Sequence, residues 1–399
     1  MAYPFATRVQ SITSSAVRDL LSMIQTGDVI SFAGGLPDEE LFPLKELELA
    51  YHKAFRSGGK SLQYGPTEGD NDLRLLIQER LQVKGIPASH DKILVTTGSQ
   101  QAIDLVAKVF LSPGDTVLIE NPSYLAALQA FNMYEANIIA VQSDSYGMIP
   151  EELEEKIITY RPKFIYVVPT FSNPQGKVWS KERREALVNL AMKHDLLIVE
   201  DDPYSELRFT EEEPIPLAAI DPSGKQVIYT STFSKTVAPG VRIGWLTGPK
   251  EVVRKIALAK QSTDLHTSSI DQRALCYFLQ DFSMQQHLHR LREQYKQRLD
   301  VMQAYLTKSD PDLFQWVEPK GGMFLWVSIN RSIDTADLLK VAVEEGVAFV
   351  PGAPFFTGHP HTNTLRLNYT HSSPEVIERG MSRFMKAIGK VLASRVYER

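Results

Sequence analysis

The sequence predicts an α/β protein with a largely parallel sheet, followed by a smaller α+β domain. From residue 90 onward, short apolar runs alternate with longer amphipathic segments, a pattern typical of parallel strands connected by helices. After about Pro249 long helical stretches replace that alternation. A chain of 399 residues also exceeds what one hydrophobic core usually supports, so two domains of unequal size are expected.

Six apolar runs are predicted to be strands of the first sheet because near-continuous apolar sequence indicates burial on both faces. These runs are Ile93–Thr97, Thr116–Glu120, Phe164–Val168, Leu196–Glu200, Val227–Thr230 and Ile243–Thr247. Helices are predicted between them at Ser99–Leu111, Pro122–Tyr134 and Ser180–His194, the last capped by its serine. In the second domain we predict helices at Asp281–Leu306, Thr335–Glu345 and from Ser373, and strands at Phe324–Val327, Val347–Val350 and Thr364–Asn368.

Composition argues against several classes of protein. The formal charge is −5, from 43 basic and 48 acidic residues, and no long run of like charge suggests a nucleic-acid partner. Residues 1–10 contain no apolar run of signal-peptide length and no 18-residue apolar stretch occurs, so a cytoplasmic location is expected. The single cysteine, Cys276, is expected in a helix core, and no histidine spacing predicts a metal site.

Polar residues follow several of the predicted strands, where ligands collect in open α/β sheets. Thr232 and Ser234 precede Lys235, and Arg242 lies seven residues further on. An enzyme that uses pyridoxal phosphate (PLP) needs a lysine for its Schiff base and donors such as arginine for the phosphate. The alternative for an isolated Ser-Lys pair is a solvated loop, since lysine is usually exposed.

Two further groups fit the same cofactor. Ser99 begins a predicted helix, where amide groups would receive an anion, although a serine there is often only a cap. Asp201 ends the most apolar strand, and a buried carboxylate needs a cationic partner such as a protonated pyridine nitrogen. Asp202 is the competing candidate, and alternation along a strand would point the two carboxylates in opposite directions.

Nine motifs occur in one order over nearly the whole chain: Ser31–Pro37, Gln63–Gly69, Gly98–Gln101, Asn121–Tyr124, Asn173–Gly176, Asp201–Tyr204, Thr232–Lys235, Arg242 and Arg366–Asn368. As an ordered set they resemble the fold-type I PLP-dependent aminotransferases of the aspartate aminotransferase class, in the 2-aminoadipate/kynurenine aminotransferase branch. The resemblance implies PLP-dependent transferase fold type I, with a mostly parallel seven-stranded sheet between helices and a smaller α+β domain. It also implies an N-terminal segment over residues 1–45 that packs on the active site and small domain, a large PLP-binding domain over 46–290 and a small domain over 291–399.

The resemblance assigns a role to each cofactor residue. It implies Lys235 as Schiff-base lysine and proton carrier, Ser99, Gln100, Thr232, Ser234 and Arg242 at the phosphate, Asp201 at the ring nitrogen, Asn173 and Tyr204 at the ring 3-oxygen, and Tyr124 stacked on the ring. Lys235, Asp201 and Tyr204 form the implied catalytic set.

The resemblance also implies a substrate site. Arg366 would bind the substrate carboxylate with help from Asn173, which leaves the Cα–H bond aligned for cleavage and favours proton transfer over decarboxylation. Tyr64 would reach the phosphate of a neighbouring subunit, which implies a homodimer with shared sites. Lys235 would act as base, and burial together with Arg242 would lower its pKa.

The implied activity is a ping-pong exchange of amino groups between an L-amino acid and a 2-oxo acid such as 2-oxoglutarate. 2-Aminoadipate, aromatic and branched-chain amino acids are all candidate donors. Gly35 and Arg18 match the segment that covers the substrate, where Arg18 would pair with an acidic side chain or lie on the surface. If Arg18 swings out, Leu21, Ile24 and Leu36 would accept apolar side chains.

Two alternatives stay open at this point. One is a PLP-dependent β-carbon–sulfur lyase, because fold does not fix function. The other is the effector-binding domain of a PLP-type transcriptional regulator, which carries an N-terminal winged-helix domain. Because Ser31–Pro37 falls within the first 40 residues, we expect no such domain here.

Overall fold

A computed structural model describes residues 3–10 and 28–396. Its strands are β1 (Ile30–Ser31), β2 (Ile93–Thr96), β3 (Thr116–Glu120), β4 (Asn137–Val141), β5 (Ser143–Asp144), β6 (Gly147–Met148), β7 (Phe164–Val167), β8 (Leu197–Asp201), β9 (Val227–Thr232), β10 (Gly244–Thr247), β11 (Phe314–Trp316), β12 (Phe324–Ile329), β13 (Val347–Ala348), β14 (Val350–Pro351) and β15 (Thr364–Asn368). Its helices are Thr7–Gln10, Leu44–Arg56, Asn71–Val83, Ser99–Phe110, Leu125–Met133, Pro150–Tyr160, Lys181–Lys193, Leu217–Ile220, Lys250–Asp264, Ser269–Asp281, Met284–Thr307, Thr335–Glu344 and Pro374–Val396.

The central sheet has seven strands in the order β2-β10-β9-β8-β7-β3-β4. β10 runs antiparallel to both of its neighbours and the other pairs are parallel. A hydrophobic core lies on each face of this sheet, and successive strand residues belong to different cores, as Phe164 and Ile165 do on β7. Both faces are therefore covered, as expected for a sheet between helices. The predicted seven-stranded, mostly parallel sheet between helices is therefore confirmed.

A second sheet, in the order β11-β12-β15-β14, is antiparallel and packs with the C-terminal helices. The parallel pair β1 and β13 connects the N-terminal segment to this part of the molecule. The predicted smaller α+β region is present. The boundaries at residues 45 and 290 stay a prediction, and residue 290 lies within the continuous helix Met284–Thr307.

The sequence prediction is wrong about several strands. The single strand predicted at Val347–Val350 is divided into β13 and β14, which pair with different sheets. Phe349 lies between them, is fully buried and packs against Phe384, so the chain changes sheet there. Strands β1, β4, β5, β6 and β11 were not predicted. Of these, β4 belongs to the central sheet, and a short apolar run after a helix can also be read as more helix. Cys276 is buried in a helix, as expected.

Several helix ends differ from the predicted ones. The helix predicted from Pro122 begins at Leu125, and the one predicted from Asp281 begins at Met284. Ser180 caps its helix as predicted, since its side chain accepts a hydrogen bond from the amide of Arg183. Among the helices of residues 3–10 and 28–396, none combines the length and apolar character needed to cross a bilayer.

Candidate active site

Two adjoining cavities lie at the carboxyl ends of the central strands. The first has a volume of about 600 Å³ and is lined by Ser99, Gln100, Tyr124, Val168, Asn173, Asp201, Pro203, Tyr204, Thr232, Ser234, Lys235, Pro239 and Arg242. The second, of about 680 Å³, is lined by Gly35, Tyr124, Leu125, Ala126, Asn173, Tyr204, Lys235, Phe324, Phe355 and Arg366. Lys235 belongs to both linings, so the cavities form one site with two ends.

One end of the site can hold an anion. Arg242 donates from Nη1 to Ser234 Oγ at 3.3 Å and from Nη2 to the carbonyl of Thr97 at 3.2 Å. Ser99 begins a twelve-residue helix whose first amide groups have no partner within the helix. At Gly98, φ is +76° and a Cβ atom would lie 2.6 Å from Arg242 Nη2, so glycine is needed for this close approach. Guanidinium, hydroxyl and amide donors together suit a phosphate.

Asp201 supplies the negative group of the site. Its Oδ2 accepts a hydrogen bond of 2.8 Å from the hydroxyl of Tyr166, whereas its buried Oδ1 has no partner among the described residues. Burial raises the pKa of Asp201 to about 7. A cationic N–H donor would satisfy Oδ1 and favour the charged carboxylate, so the site fits the protonated ring nitrogen of PLP.

Asp202 lies on the other face of the sheet. Its carboxylate accepts hydrogen bonds from Lys84 at 3.2 Å and from Tyr229 at 2.6 Å, and Lys84 holds its pKa below the usual range against the effect of burial. The alternation predicted for the two aspartates is therefore present. Asp202 already has its cation, whereas Asp201 lacks one.

Lys235 lies between the two cavities. Its Nζ donates a 2.8 Å hydrogen bond to the carbonyl of Gly35. Burial lowers the pKa of Lys235 to about 8, with smaller contributions from the cations Arg366 and Arg242. The expected lowering is confirmed, but Arg366 contributes more than Arg242. A substantial fraction of the amine is therefore neutral near physiological pH.

Arg366 forms the opposite end of the site. It donates from Nη1 to Asn173 Oδ1 at 2.7 Å and from Nη2 to the carbonyl of Ala33 at 2.6 Å, while its buried Nε has no partner among the described residues. Its guanidinium lies 4.3 Å from the ring centre of Phe324. Burial lowers its pKa to about 10, so it is still cationic at neutral pH. A buried, stacked guanidinium suits recognition of a carboxylate.

Most of the predicted site residues line this one site. Gly35 and Arg366 line the second cavity, which adjoins the first cavity with the predicted cofactor residues. Tyr64 is not, because its side chain is 79% exposed and its ring packs edge-on against His266, outside both cavities. Arg18, Leu21 and Ile24 lie outside the described residues.

Sequence reasoning missed Tyr166, Phe324 and Phe355. A signal existed for Tyr166, because a tyrosine within a fully buried strand needs a partner for its hydroxyl. The two phenylalanines gave no comparable signal, since phenylalanine is common in any core.

An amine, an anion cradle and an unpaired buried carboxylate at the ends of a parallel sheet define a PLP enzyme of the α/β class. Residues 28–384 match the family Aminotransferase class I and II, and the chain belongs to this family.

Several named proteins are similar to this chain over almost its whole length. The chain is 41% identical to aromatic-amino-acid aminotransferase 1 of Thermococcus litoralis, over 96% of this chain and 94% of that one. The crystal structure of Pyrococcus horikoshii kynurenine aminotransferase in complex with PMP aligns with a TM-score of 0.92 and 40% identity, covering 98% of both chains. That of Thermus thermophilus alpha-aminoadipate aminotransferase, complexed with N-(5′-phosphopyridoxyl)-L-leucine, aligns with a TM-score of 0.90 and 37% identity over the same shares.

The protein is thus an aminotransferase of PLP fold type I that uses pyridoxal phosphate to move amino groups between amino acids and 2-oxo acids. The predicted family, fold, cofactor and enzyme class are confirmed. Among the alternatives weighed from the sequence, amino-group transfer is supported by the family and by its named relatives.

Proposed function

We propose that this aminotransferase has broad donor specificity, accepts aromatic, branched-chain and 2-aminoadipate donors, and uses 2-oxoglutarate as an acceptor. The observation that carries this proposal is Arg366, held by Asn173 beside Lys235 in a cavity whose wall is partly apolar. Leu125, Phe324 and Phe355 line that cavity and suit apolar side chains. The names of two relatives cover aromatic and 2-aminoadipate donors, and a third was solved in complex with N-(5′-phosphopyridoxyl)-L-leucine, which contains a branched-chain amino acid.

The residues at the two ends of the site have separate roles in this proposal. Arg242, Thr232, Ser234 and the amide groups of Ser99 and Gln100 would hold the phosphate of PLP, and Asp201 would hold its ring nitrogen charged. Tyr124 would stack on the ring, and Tyr204 and Asn173 would donate to its 3-oxygen. Bound PLP supplies an electron sink for the pair of electrons left on the substrate Cα when its proton is removed.

Lys235 would carry the cofactor and then move the proton. Its Nζ, neutral in part near pH 8, would accept the proton from the substrate Cα and would deliver it to C4′ of the cofactor, the carbon that receives the amino group. Arg366 fixes the carboxylate, which leaves the Cα–H bond in the orientation for cleavage. The 2-oxo acid then leaves before the second oxo acid enters, so the kinetics are ping-pong.

We further propose a cytoplasmic homodimer. Tyr64 is exposed, and exposed apolar residues accompany it on the helix Leu44–Arg56 and the turn that follows, namely Leu44, Leu49, Phe55 and Leu62. Several exposed apolar residues along one segment of the chain are consistent with an interface. Tyr64 would then complete the phosphate site of the partner chain.

Replacement of Lys235 tests the assigned role. Lys235→Ala should abolish amino transfer from phenylalanine, leucine and 2-aminoadipate to 2-oxoglutarate, because the base and the attachment point are both lost. Lys177→Ala is the matched control, since burial also lowers the pKa of Lys177 but its side chain lies outside both cavities. Transfer rates with each donor are measured by formation of glutamate. Full activity of Lys235→Ala, or equal loss in both variants, would contradict the proposal.

A further inference from the structure

Two buried tyrosines flank strand β8 in a matched arrangement. Tyr166 on β7 pairs with Val199 and donates to Asp201, two residues further along β8. Tyr229 on β9 pairs with Glu200 and donates to Asp202, which lies two residues after Glu200, directly beyond the end of β8. Because strand residues alternate between faces, the two tyrosine–aspartate pairs lie on opposite faces of the sheet.

Tyr166 has a fixed position. Its side chain is fully buried, and its ring packs edge-on against Phe131 with a centre-to-centre distance of 5.5 Å. The hydroxyl donates to Oδ2 of Asp201, and this leaves Oδ1 as the carboxylate oxygen without a partner among the described residues. A carboxylate held at one oxygen by a rigid donor keeps its other oxygen in a defined direction.

We propose that Tyr166 is a positioning residue for the reaction: it anchors Asp201 through Oδ2, keeps Oδ1 available to the cofactor ring nitrogen and stabilises the ionised carboxylate. This inference rests on the proposed role of Asp201. Tyr166 does not line either cavity, so it acts through Asp201 and not through contact with the substrate.

The electrostatic surroundings make this hydrogen bond important. Burial and the charge of Asp202 raise the pKa of Asp201, and the hydrogen bond from Tyr166 opposes both. Asp201 also interacts electrostatically with the hydroxyls of Tyr124 and Tyr204, whose pKa values it raises. With this hydrogen bond in place the pKa of Asp201 is about 7, and loss of the Tyr166 hydroxyl would raise it further, so Asp201 would stay protonated to higher pH. A neutral carboxyl no longer favours a charged ring nitrogen.

Tyr166→Phe and its matched control Tyr229→Phe test the proposal, because each removes one buried hydroxyl from a strand that flanks β8. Affinities of each apoprotein are measured for PLP and for an analogue in which carbon replaces the ring nitrogen. Loss of a hydrogen bond to a charged group should weaken binding of PLP to Tyr166→Phe about tenfold and leave binding of the analogue unchanged. Tyr229→Phe should not alter the ratio of the two affinities.

A second readout does not need the cofactor. Titration of Asp201 in the apoprotein, followed by carboxyl infrared or carbon NMR signals, should give a higher pKa in Tyr166→Phe than in the wild type or Tyr229→Phe. An unchanged pKa, or equal weakening of PLP and analogue binding by Tyr166→Phe, would overturn the positioning role. If the wild type itself binds PLP and the analogue equally, the role of Asp201 fails, whereas the titration still decides whether Tyr166 controls its ionisation.

Discussion

Lys235 is reactive because of where its amine lies. A lysine in solution is almost wholly protonated at neutral pH, but burial and the cations Arg366 and Arg242 lower the pKa of this one to about 8. The same two arginines are the proposed ligands of the carboxylate and the phosphate. In this proposal, the groups that bind the two anions also lower the pKa of the base.

This pKa predicts how fast the apoprotein captures PLP. Only the neutral amine attacks an aldehyde, so the rate should fall about tenfold for each pH unit below about 8 and level off above it. Arg366→Gln removes a nearby cation, raises the pKa of Lys235 and should move the profile to higher pH. Stopped-flow absorbance measures the rate, and a free amine in the same buffers corrects for titration of PLP. A flat profile between about pH 6 and pH 9 would contradict the assigned pKa.

At the scale of elements, the hairpin between β9 and β10 places the reactive groups. It carries Ser234, Lys235 and Arg242 within the eleven residues that separate the two strands. β10 also packs against the start of the helix Ser99–Phe110, since a Cβ atom at Gly244 would lie 2.7 Å from the amide nitrogen of Ser99. The hairpin and the helix N-terminus therefore form the anion site together.

Gly244→Ala should disturb this junction. The added methyl group has to displace backbone atoms, which costs roughly 1–3 kcal/mol of stability and moves the helix start away from the anion site. We expect affinity for inorganic phosphate and for PLP to fall about tenfold. Gly240→Ala is the control, because a Cβ atom there meets nothing within 4 Å on the same hairpin. Equal phosphate affinity in both variants, measured by calorimetry, would show that the junction does not position the site.

The sequence predicted the elements better than the contacts between them. Runs such as Phe164–Val168 are near-continuously apolar, and this pattern is typical of strands buried on both faces. The contact between Tyr166 and Asp201 could not be read in the same way, because it depends on which strand lies beside β8. The carbonyls of Ala33 and Gly35, which accept from Arg366 and Lys235, carry no sequence signal because every residue has a carbonyl.

At the scale of the whole molecule, the site joins segments that are far apart in sequence. The carbonyl of Ala33 accepts a hydrogen bond from Arg366. Asp38 forms a buried ion pair of 2.6 Å with Arg298, and Nη1 of Arg298 donates to the carbonyl of Thr370. Residues 33–38 thus contact the C-terminal region through Arg366 and Arg298, and contact Lys235 through the carbonyl of Gly35. We expect the geometry of the substrate end of the site to depend on these contacts.

The proposed dimer can be tested by complementation. A chain with Lys235→Ala keeps Tyr64, and a chain with Tyr64→Ala keeps Lys235, so a hybrid dimer would contain one intact site. After the two variants are unfolded together and refolded, activity should rise above the mean of the separately refolded samples. The control is a mixture of Lys235→Ala with Asp201→Asn. Asp201 and Lys235 of one chain line the same cavity, so no hybrid dimer of these two variants contains an intact site. This mixture should therefore show no gain in activity. Absence of any gain with Tyr64→Ala would contradict shared sites.

Lys235 is the residue that we propose to carry PLP. Borohydride reduction of the holoenzyme fixes the cofactor on the amine that holds it, and peptide mass spectrometry then identifies that amine. We predict the phosphopyridoxyl group on Lys235 in the wild type, and its removal when excess amino acid is added before reduction. A label on any other lysine, or a label on Lys235 that amino acids do not displace, would contradict the account.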